Sequence, residues 1–224
     1  MNYSMVKLLI LKDWYLQRWM ILGSLVAGAL ALAITVSSGK AAFFLGIILL
    51  VTVLVAVGAQ LAIATVVNER KEQTLAFVMS MPISSREYTT AKILANLLIF
   101  LVPWIAVLLG CVSVILALTG IPHGLVPYVS IMCTEILVSN CLVFCVAIMT
   151  ESQGWAIAAI MVGNITFNAV GYFVAHIPSI AAAMNGTNII WNNAAVVLLS
   201  TELALVVLLL TLTFFVQSRK TDFI

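Results

Sequence analysis

Long apolar runs recur along the chain, and short polar connections separate them. Six of the runs are long enough for a membrane-crossing helix, since a hydrocarbon core of about 30 Å needs about 20 apolar residues. They cover residues 19–36, 41–67, 93–118, 125–149, 155–176 and 194–216. The pattern predicts an all-α membrane protein whose 224 residues form a single transmembrane domain of six helices.

Composition and charge agree with this pattern. Apolar residues make up 64% of the chain and charged residues only 8%, a balance that excludes a soluble domain. Apart from Lys40, the Lys and Arg residues fall before residue 19, within residues 68–92 or in the C-terminal tail. The positive-inside rule then predicts a multi-pass protein of the cytoplasmic membrane with both termini cytoplasmic. The net charge of +2 therefore reflects topology, and we expect no nucleic-acid partner.

Two stretches outside the apolar runs suggest further elements. Residues 1–18 mix Trp14 and Tyr15 with Lys7, Lys12 and Arg18, which suits an elbow helix in the membrane interface. The alternative is a plain cytoplasmic extension of the first span. Because this stretch is long for a secretory signal, we expect the first span to be retained. Residues 177–193 are too polar for a span and predict short helices at the outer surface, or a re-entrant segment.

Residues 68–92 form a polar island that holds seven of the chain's 18 charged residues. The helical pattern of the second span continues to about residue 80, where Pro82 stops it because proline lacks an amide hydrogen. Ser84 with Glu87 three positions later forms a capping-box pattern that starts the next helix. The segment is therefore expected to form a sharp elbow whose apolar residues pack on span ends or on another protein. These apolar residues are Leu75, Phe77, Val78 and Met79.

Specific positions of this segment carry a family resemblance. They are Glu69, Thr74, Leu75, the Met-Pro-Ile-Ser stretch at 81–84, Arg86 and the pair Ala91 and Lys92. In this pattern the segment resembles the coupling segment of type-2 ATP-binding-cassette (ABC) exporter permeases. Met81 departs from it, since many members have leucine there. The likeness extends over the chain, with an N-terminal elbow, six spans and a Gly- and Asn-containing stretch before the last span.

The resemblance implies half of a transporter that is driven by a separate ATPase. Its coupling helix would fit a groove on an ABC ATPase subunit, of which there are two copies, and the permease would pair with an identical or homologous permease. The residues implied to bind the ATPase are Glu69, Arg70, Glu72, Thr74, Leu75, Val78, Met79, Pro82, Arg86 and Lys92. The alternative is an ordinary loop anchored by positive charge.

The chain contains no GxxxxGK[ST] phosphate-binding loop, so we expect ATP and Mg to be bound by the partner. The chain itself is then neither an enzyme nor the holder of a cofactor. The resemblance further implies a hydrophobic or amphipathic substrate, such as a peptide, an antibiotic or a lipid-like compound. No metal site is expected, because the four cysteines and two histidines lack ligand spacing.

Small residues recur every fourth position in two spans, which lets helix backbones approach closely in lipid. They are Gly23, Ala27 and Ala31 in the first span and Ala159 and Gly163 in the fifth. The resemblance implies that these two spans form the contact between the two permeases. Membrane lipid is expected as a further partner of the protein as a whole. Packing within one subunit is the alternative.

Polar residues at membrane depth are costly if they face lipid, so each needs an explanation. In the fifth span Asn164 and Asn168 share a face with Met161 and Tyr172, and such a mixed wall suits the path of an amphipathic substrate. For Glu135 and Glu202 we favour interhelical hydrogen bonds. The competing hypothesis makes these two glutamates the proton or cation sites of a secondary transporter or channel.

Overall fold

The computed structural model describes residues 3–37, 40–68, 85–118 and 120–218. Seven α-helices lie within these residues. They are α1 (Tyr3–Val36), α2 (Lys40–Ala62), α3 (Ser85–Ala117), α4 (Leu125–Thr150), α5 (Gln153–His176), α6 (Pro178–Met184) and α7 (Asn193–Ser218). The described residues contain no strand. The predicted all-helical class is therefore confirmed.

Six of the described helices are long and apolar enough to cross a bilayer, as the sequence predicts. These candidate spans are Ser4–Val36, Ala41–Val66, Glu87–Ala117, Leu125–Thr150, Gln153–His176 and Asn193–Gln217. The second, fourth, fifth and sixth spans begin and end within a few residues of the predicted bounds. The protein is thus a multi-pass membrane protein with six spans.

The helix α4 lies at the centre of the bundle and packs against α2, α3, α5 and α7. Most of its length is buried, which agrees with a sequence that is apolar on every side. The largest core cluster joins five helices and includes Ala31 of α1, Leu54 of α2, Phe100 of α3, Ile136 of α4 and Val206 of α7. The core therefore runs through the membrane-crossing part of the bundle.

The helices α1 and α3 run parallel and are longer than a bilayer requires. They contain 34 and 33 residues, so each is about 50 Å long at a rise of about 1.5 Å per residue. Their N-terminal ends pack together through a small cluster, which we call the α1–α3 base: Val6, Leu9, Ile10, Tyr88 and Ala91. Because α1 passes residue 18 without a break, a separate elbow helix is not confirmed, and the continuous extension describes this helix better.

The connection between α4 and α5 is short. Glu151 adopts a left-handed conformation with φ of 53°, and its amide donates to the Ala147 carbonyl at 2.8 Å. At the other end of these helices the segment 177–193 forms the short helix α6 and a turn, as predicted. Ile180 of α6 packs with Ile131 of α4 and Val174 of α5. This segment thereby closes one end of the bundle.

Candidate functional site

Most of the residues predicted to bind an ATPase lie outside the described part of the chain. These are Glu69, Arg70, Glu72, Thr74, Leu75, Val78, Met79 and Pro82. Arg86 lies in the first turn of α3, and its side chain is likewise outside the described part. Lys92 is described in full, and its contact with an ATPase stays a prediction.

Lys92 is buried in the α1–α3 base. Its Nζ lies 2.8 Å from Oδ2 of Asp13, and the two side chains are only 3% and 4% exposed. The ammonium also lies 5.8 Å from the centre of the Tyr88 ring. The charge of Lys92 is therefore used inside the subunit, and the side chain offers no surface to a soluble partner in this conformation.

Asp13 completes this site, and the sequence analysis did not single it out. Besides Lys92, it lies 3.5 Å from Nζ of the more exposed Lys12. A signal was present, because Asp13 is the one acidic residue before Glu69. A carboxylate that becomes buried when its helix packs needs a cation beside it, since an unpaired buried charge is costly. Which cation it meets depends on how α1 and α3 pair.

The end of α2 is also attached to α3. Residues Ile63–Val67 form a π-helical turn, a rare form that often occurs at functional sites. Thr65 in this turn donates to the Leu61 carbonyl at 2.7 Å, and Asn96 of α3 donates to the Thr65 hydroxyl at 3.5 Å. Both side chains are buried. The two helices that flank residues 69–84 are thus joined close to that segment.

A cleft of about 480 Å³ opens between α2, α3, α4 and α5. Two of the four residues predicted for a substrate path line it, namely Asn164 and Asn168. Met161 and Tyr172 are 63% and 62% exposed and are not part of the described lining. Asn164 and Asn168 thus line a cleft whose apolar part comes mainly from α2, α3 and α4, and the substrate path itself stays a prediction.

A narrower cavity continues this cleft and shares Leu54, Ile136, Asn164 and Phe167 with it. Its volume of about 30 Å³ is large enough to hold a water molecule. Asn140 of α4 lines it, and Oδ1 of this buried side chain has no hydrogen-bond partner among the described residues. The approach of this oxygen to α2 requires Gly58, because a Cβ there would overlap it. Asn140 was missed, although an amide in an apolar span is a visible signal.

The two intramembrane glutamates lie together, away from the cleft. Glu135 of α4 and Glu202 of α7 are each 6% exposed and close enough to interact electrostatically. Thr166 of α5 lies beside Glu135, and its hydroxyl donates to the Val162 and Gly163 carbonyls of its own helix. Oε2 of Glu202 has no hydrogen-bond partner among the described residues. Glu135 therefore lies at the contact of α4 with α5, and its interhelical hydrogen bond stays a prediction.

The stripes of small residues divide between two environments. Ala31 is 2% exposed in the main core, Ala159 is buried against α4, and a Cβ on Gly163 would lie 3.2 Å from Cβ of Ser139. These three residues pack within the subunit, which is the stated alternative, and a contact between permeases stays a prediction. Gly23 is exposed with no atom near its missing Cβ, and Ala27 is partly exposed. Only this part of the α1 stripe leaves an open surface.

Comparisons of the chain with protein-family models, with curated proteins and with solved structures found no match. The described fold and cleft define a six-span helical membrane protein with a lateral cavity.

Proposed function

We propose that the protein is the membrane-spanning half of an ATP-driven ABC exporter, which moves a hydrophobic or amphipathic substrate out of the cell or the membrane. It acts with two ATPase subunits, which bind ATP and Mg, and with a second permease. Both termini and the segment 69–84 face the cytoplasm in this proposal. The family pattern of residues 68–92 is its starting point, and the surroundings of that segment support it.

The supporting observation is the way in which the helices beside the segment are joined. The end of α2 is bonded to α3 through Thr65 and Asn96, and the start of α3 is bonded to α1 through Lys92 and Asp13. A force applied to residues 69–84 would therefore move α1, α2 and α3 together. An ordinary connecting loop has no need for buried polar contacts at this point, because such contacts are costly unless every group is paired.

A second candidate function is a secondary transporter or channel that uses Glu135 and Glu202. The unpartnered Oε2 of Glu202 favours it, since a buried orphan carboxyl oxygen is a common feature of ion and proton sites. Against it, neither glutamate belongs to the described lining of the cleft. This candidate also leaves the pattern of residues 68–92 without a role.

Transport in inside-out vesicles separates the two functions. Vesicles from source cells that carry or lack the chain would be given ATP or a pH gradient separately, and uptake of radiolabelled dodecanamide would be measured. We expect chain-dependent uptake with ATP alone, and near-normal uptake for Glu202→Gln, because the amide keeps its hydrogen-bonding ability. Uptake driven by the gradient without ATP, and lost in Glu135→Gln or Glu202→Gln, would establish the secondary transporter instead.

The coupling surface is tested by replacing Leu75 and Met79 together with aspartate. Two charges would enter an apolar docking surface, so ATP-driven uptake and copurification of the ATPase should both be lost. The matched control is Leu75→Met with Met79→Leu, which keeps the surface apolar and nearly constant in volume. Normal uptake by the aspartate variant would show that these residues do not dock an ATPase.

A further inference from the structure

Each of the two asparagines of the cleft uses one N–H of its amide on its own helix. Nδ2 of Asn164 donates to the Ile160 carbonyl at 2.9 Å, and Nδ2 of Asn168 donates to the Asn164 carbonyl at 2.7 Å. A backbone carbonyl only accepts, so the nitrogen of each amide must face the helix. This fixes the orientation of both side chains, which leaves Oδ1 of each with its acceptor capacity directed away from the backbone.

The hydroxyl groups in the cleft are arranged in the same way. Thr52 donates to the Ile48 carbonyl at 2.7 Å, and Tyr128 donates to the Gly171 carbonyl at 3.4 Å. Each hydroxyl has one hydrogen, so what each offers to the cleft is oxygen lone pairs. The described lining includes no Asp, Glu, Lys, Arg or His. Apart from two thiols and the second N–H of each asparagine, the polar side chains that line the described cleft therefore offer acceptors.

The narrower cavity also offers acceptors. Its serine, Ser139, donates to the Gly163 carbonyl at 3.4 Å. The buried Oδ1 of Asn140 adds an acceptor that no described residue satisfies. A buried acceptor without a partner is unfavourable, so a donor brought by a ligand would be stabilised there more than at an exposed site. The acceptors thus extend from the open cleft to its narrow end.

The position of these acceptors in the span restricts the occupant. Asn164 lies at the middle of α5, which runs from Gln153 to His176. In a spanning helix this is near the bilayer centre, about 15 Å from either surface of the hydrocarbon core. The head group of a lipid in its normal position does not reach that depth. A molecule that enters the apolar cleft whole can do so.

We infer that the cleft selects its ligand by donated hydrogen bonds: it binds an amphipathic molecule that has an apolar body and N–H or O–H groups. A ligand donor in hydrocarbon has no partner and gains one here, and the oxygen lone pairs that the lining offers outnumber the one N–H that each asparagine keeps. The inference depends on the proposed function only for the identification of this ligand as the transported substrate. Binding itself requires no ATPase.

The test uses the purified full chain in lipid nanodiscs and two matched pairs of probes. Dodecanamide and N,N-dimethyldodecanamide share a chain and a carbonyl but differ in two N–H donors. Dodecylammonium and dodecyltrimethylammonium differ in N–H donors while both are cations. Binding is measured by equilibrium dialysis and corrected for empty nanodiscs. We expect the donor-bearing member of each pair to bind about tenfold more tightly, the effect of one or two hydrogen bonds.

Two variants locate the preference. Asn164→Leu with Asn168→Leu removes both acceptors with side chains of the same branching, and the donor preference should disappear. Thr201→Val is the control, because Thr201 is exposed on α7, bonds only to the Val197 carbonyl in the described structure and lies outside the cleft. This control should keep the preference. If the leucine variant does not fold, Asn164→Ser with Asn168→Ser should keep the preference and Asn164→Ala with Asn168→Ala should lose it.

Other results would overturn the inference. Equal binding of both members of each pair would do so, as would a preference that survives the loss of both asparagines. If no probe binds and the double leucine variant loses a dimer seen by mass photometry, a second copy covers the cleft instead. Donor-selective binding without ATP-driven transport would contradict the exporter proposal and leave this inference intact. ATP-driven transport without donor selectivity would contradict this inference and leave the exporter proposal intact.

Discussion

Replacing Lys92 with methionine is expected to lower the free energy of unfolding by roughly 3–5 kcal/mol. The substitution removes the cation that lies 2.8 Å from Asp13 and leaves the carboxylate buried beside an apolar side chain. Lys12, at 3.5 Å from the other carboxylate oxygen, offsets part of this loss. The measurement is the shift of the unfolding transition of the purified chain in detergent micelles, followed by tryptophan fluorescence.

A double variant distinguishes the lost pair from lost packing. Asp13→Leu together with Lys92→Met removes both charges and should recover most of the stability, since a buried ion pair is often replaceable by apolar side chains. Lys7→Met is the matched control, because Lys7 is exposed on the same end of α1, and a surface change is within about 0.5 kcal/mol. If Lys92→Met and Lys7→Met have the same unfolding transition, the buried pair contributes little to the free energy of unfolding.

Replacing Gly46 with valine should cost roughly 3 kcal/mol of stability, because it overpacks the contact between α1 and α2. A Cβ at residue 46 would overlap the Thr35 hydroxyl and lie 2.7 Å from the Thr35 amide nitrogen and 2.8 Å from the Ala31 carbonyl oxygen. Backbone atoms cannot give way without moving α1 from α2. Thermal unfolding of the variant in micelles is the measurement.

Gly23→Val is the matched control for this substitution. The missing Cβ of Gly23 has nothing within 4 Å, so the same side chain should leave subunit stability nearly unchanged. If the open part of the α1 stripe contacts a second permease, the Gly23 variant should instead weaken the dimer. Cysteine crosslinking from this face in membranes would report that loss. A Gly23 variant that unfolds as readily as the Gly46 variant would contradict the described packing.

The spans could be predicted because the requirement for them is local. A bilayer needs about 20 apolar residues in a row, and that condition is visible without any knowledge of neighbouring helices. The start of α3 at Ser85 agrees with the capping-box pattern of Ser84 and Glu87, but the continuous course of α1 through residue 18 could not be predicted in the same way. Their polar N-terminal ends are helical and packed because each covers the apolar side of the other, through Leu9 and Ala91.

The candidate site was predictable to a similar degree. Asn164 and Asn168 were identified since polar residues within an apolar span need a partner or a cavity, and they do line the cleft. The burial of Lys92 against Asp13 could not be predicted, because a pattern of residue types does not show which side of a helix is covered. The spacing of Ala31, Ala159 and Gly163 likewise indicates close packing but does not say against which helix.

The sequence by itself determined the class of this protein: its apolar content and the length of its apolar runs leave a six-span helical membrane protein. Tertiary structure decided which polar groups meet. The pair of Asp13 with Lys92, and the acceptor set of Thr52, Tyr128, Asn164 and Asn168, join residues from different helices. The physical reason is the distance over which each effect acts along the chain. Hydrophobic length acts along one segment, whereas hydrogen bonds and ion pairs require contact within about 3 Å, and the packing of helices sets that contact.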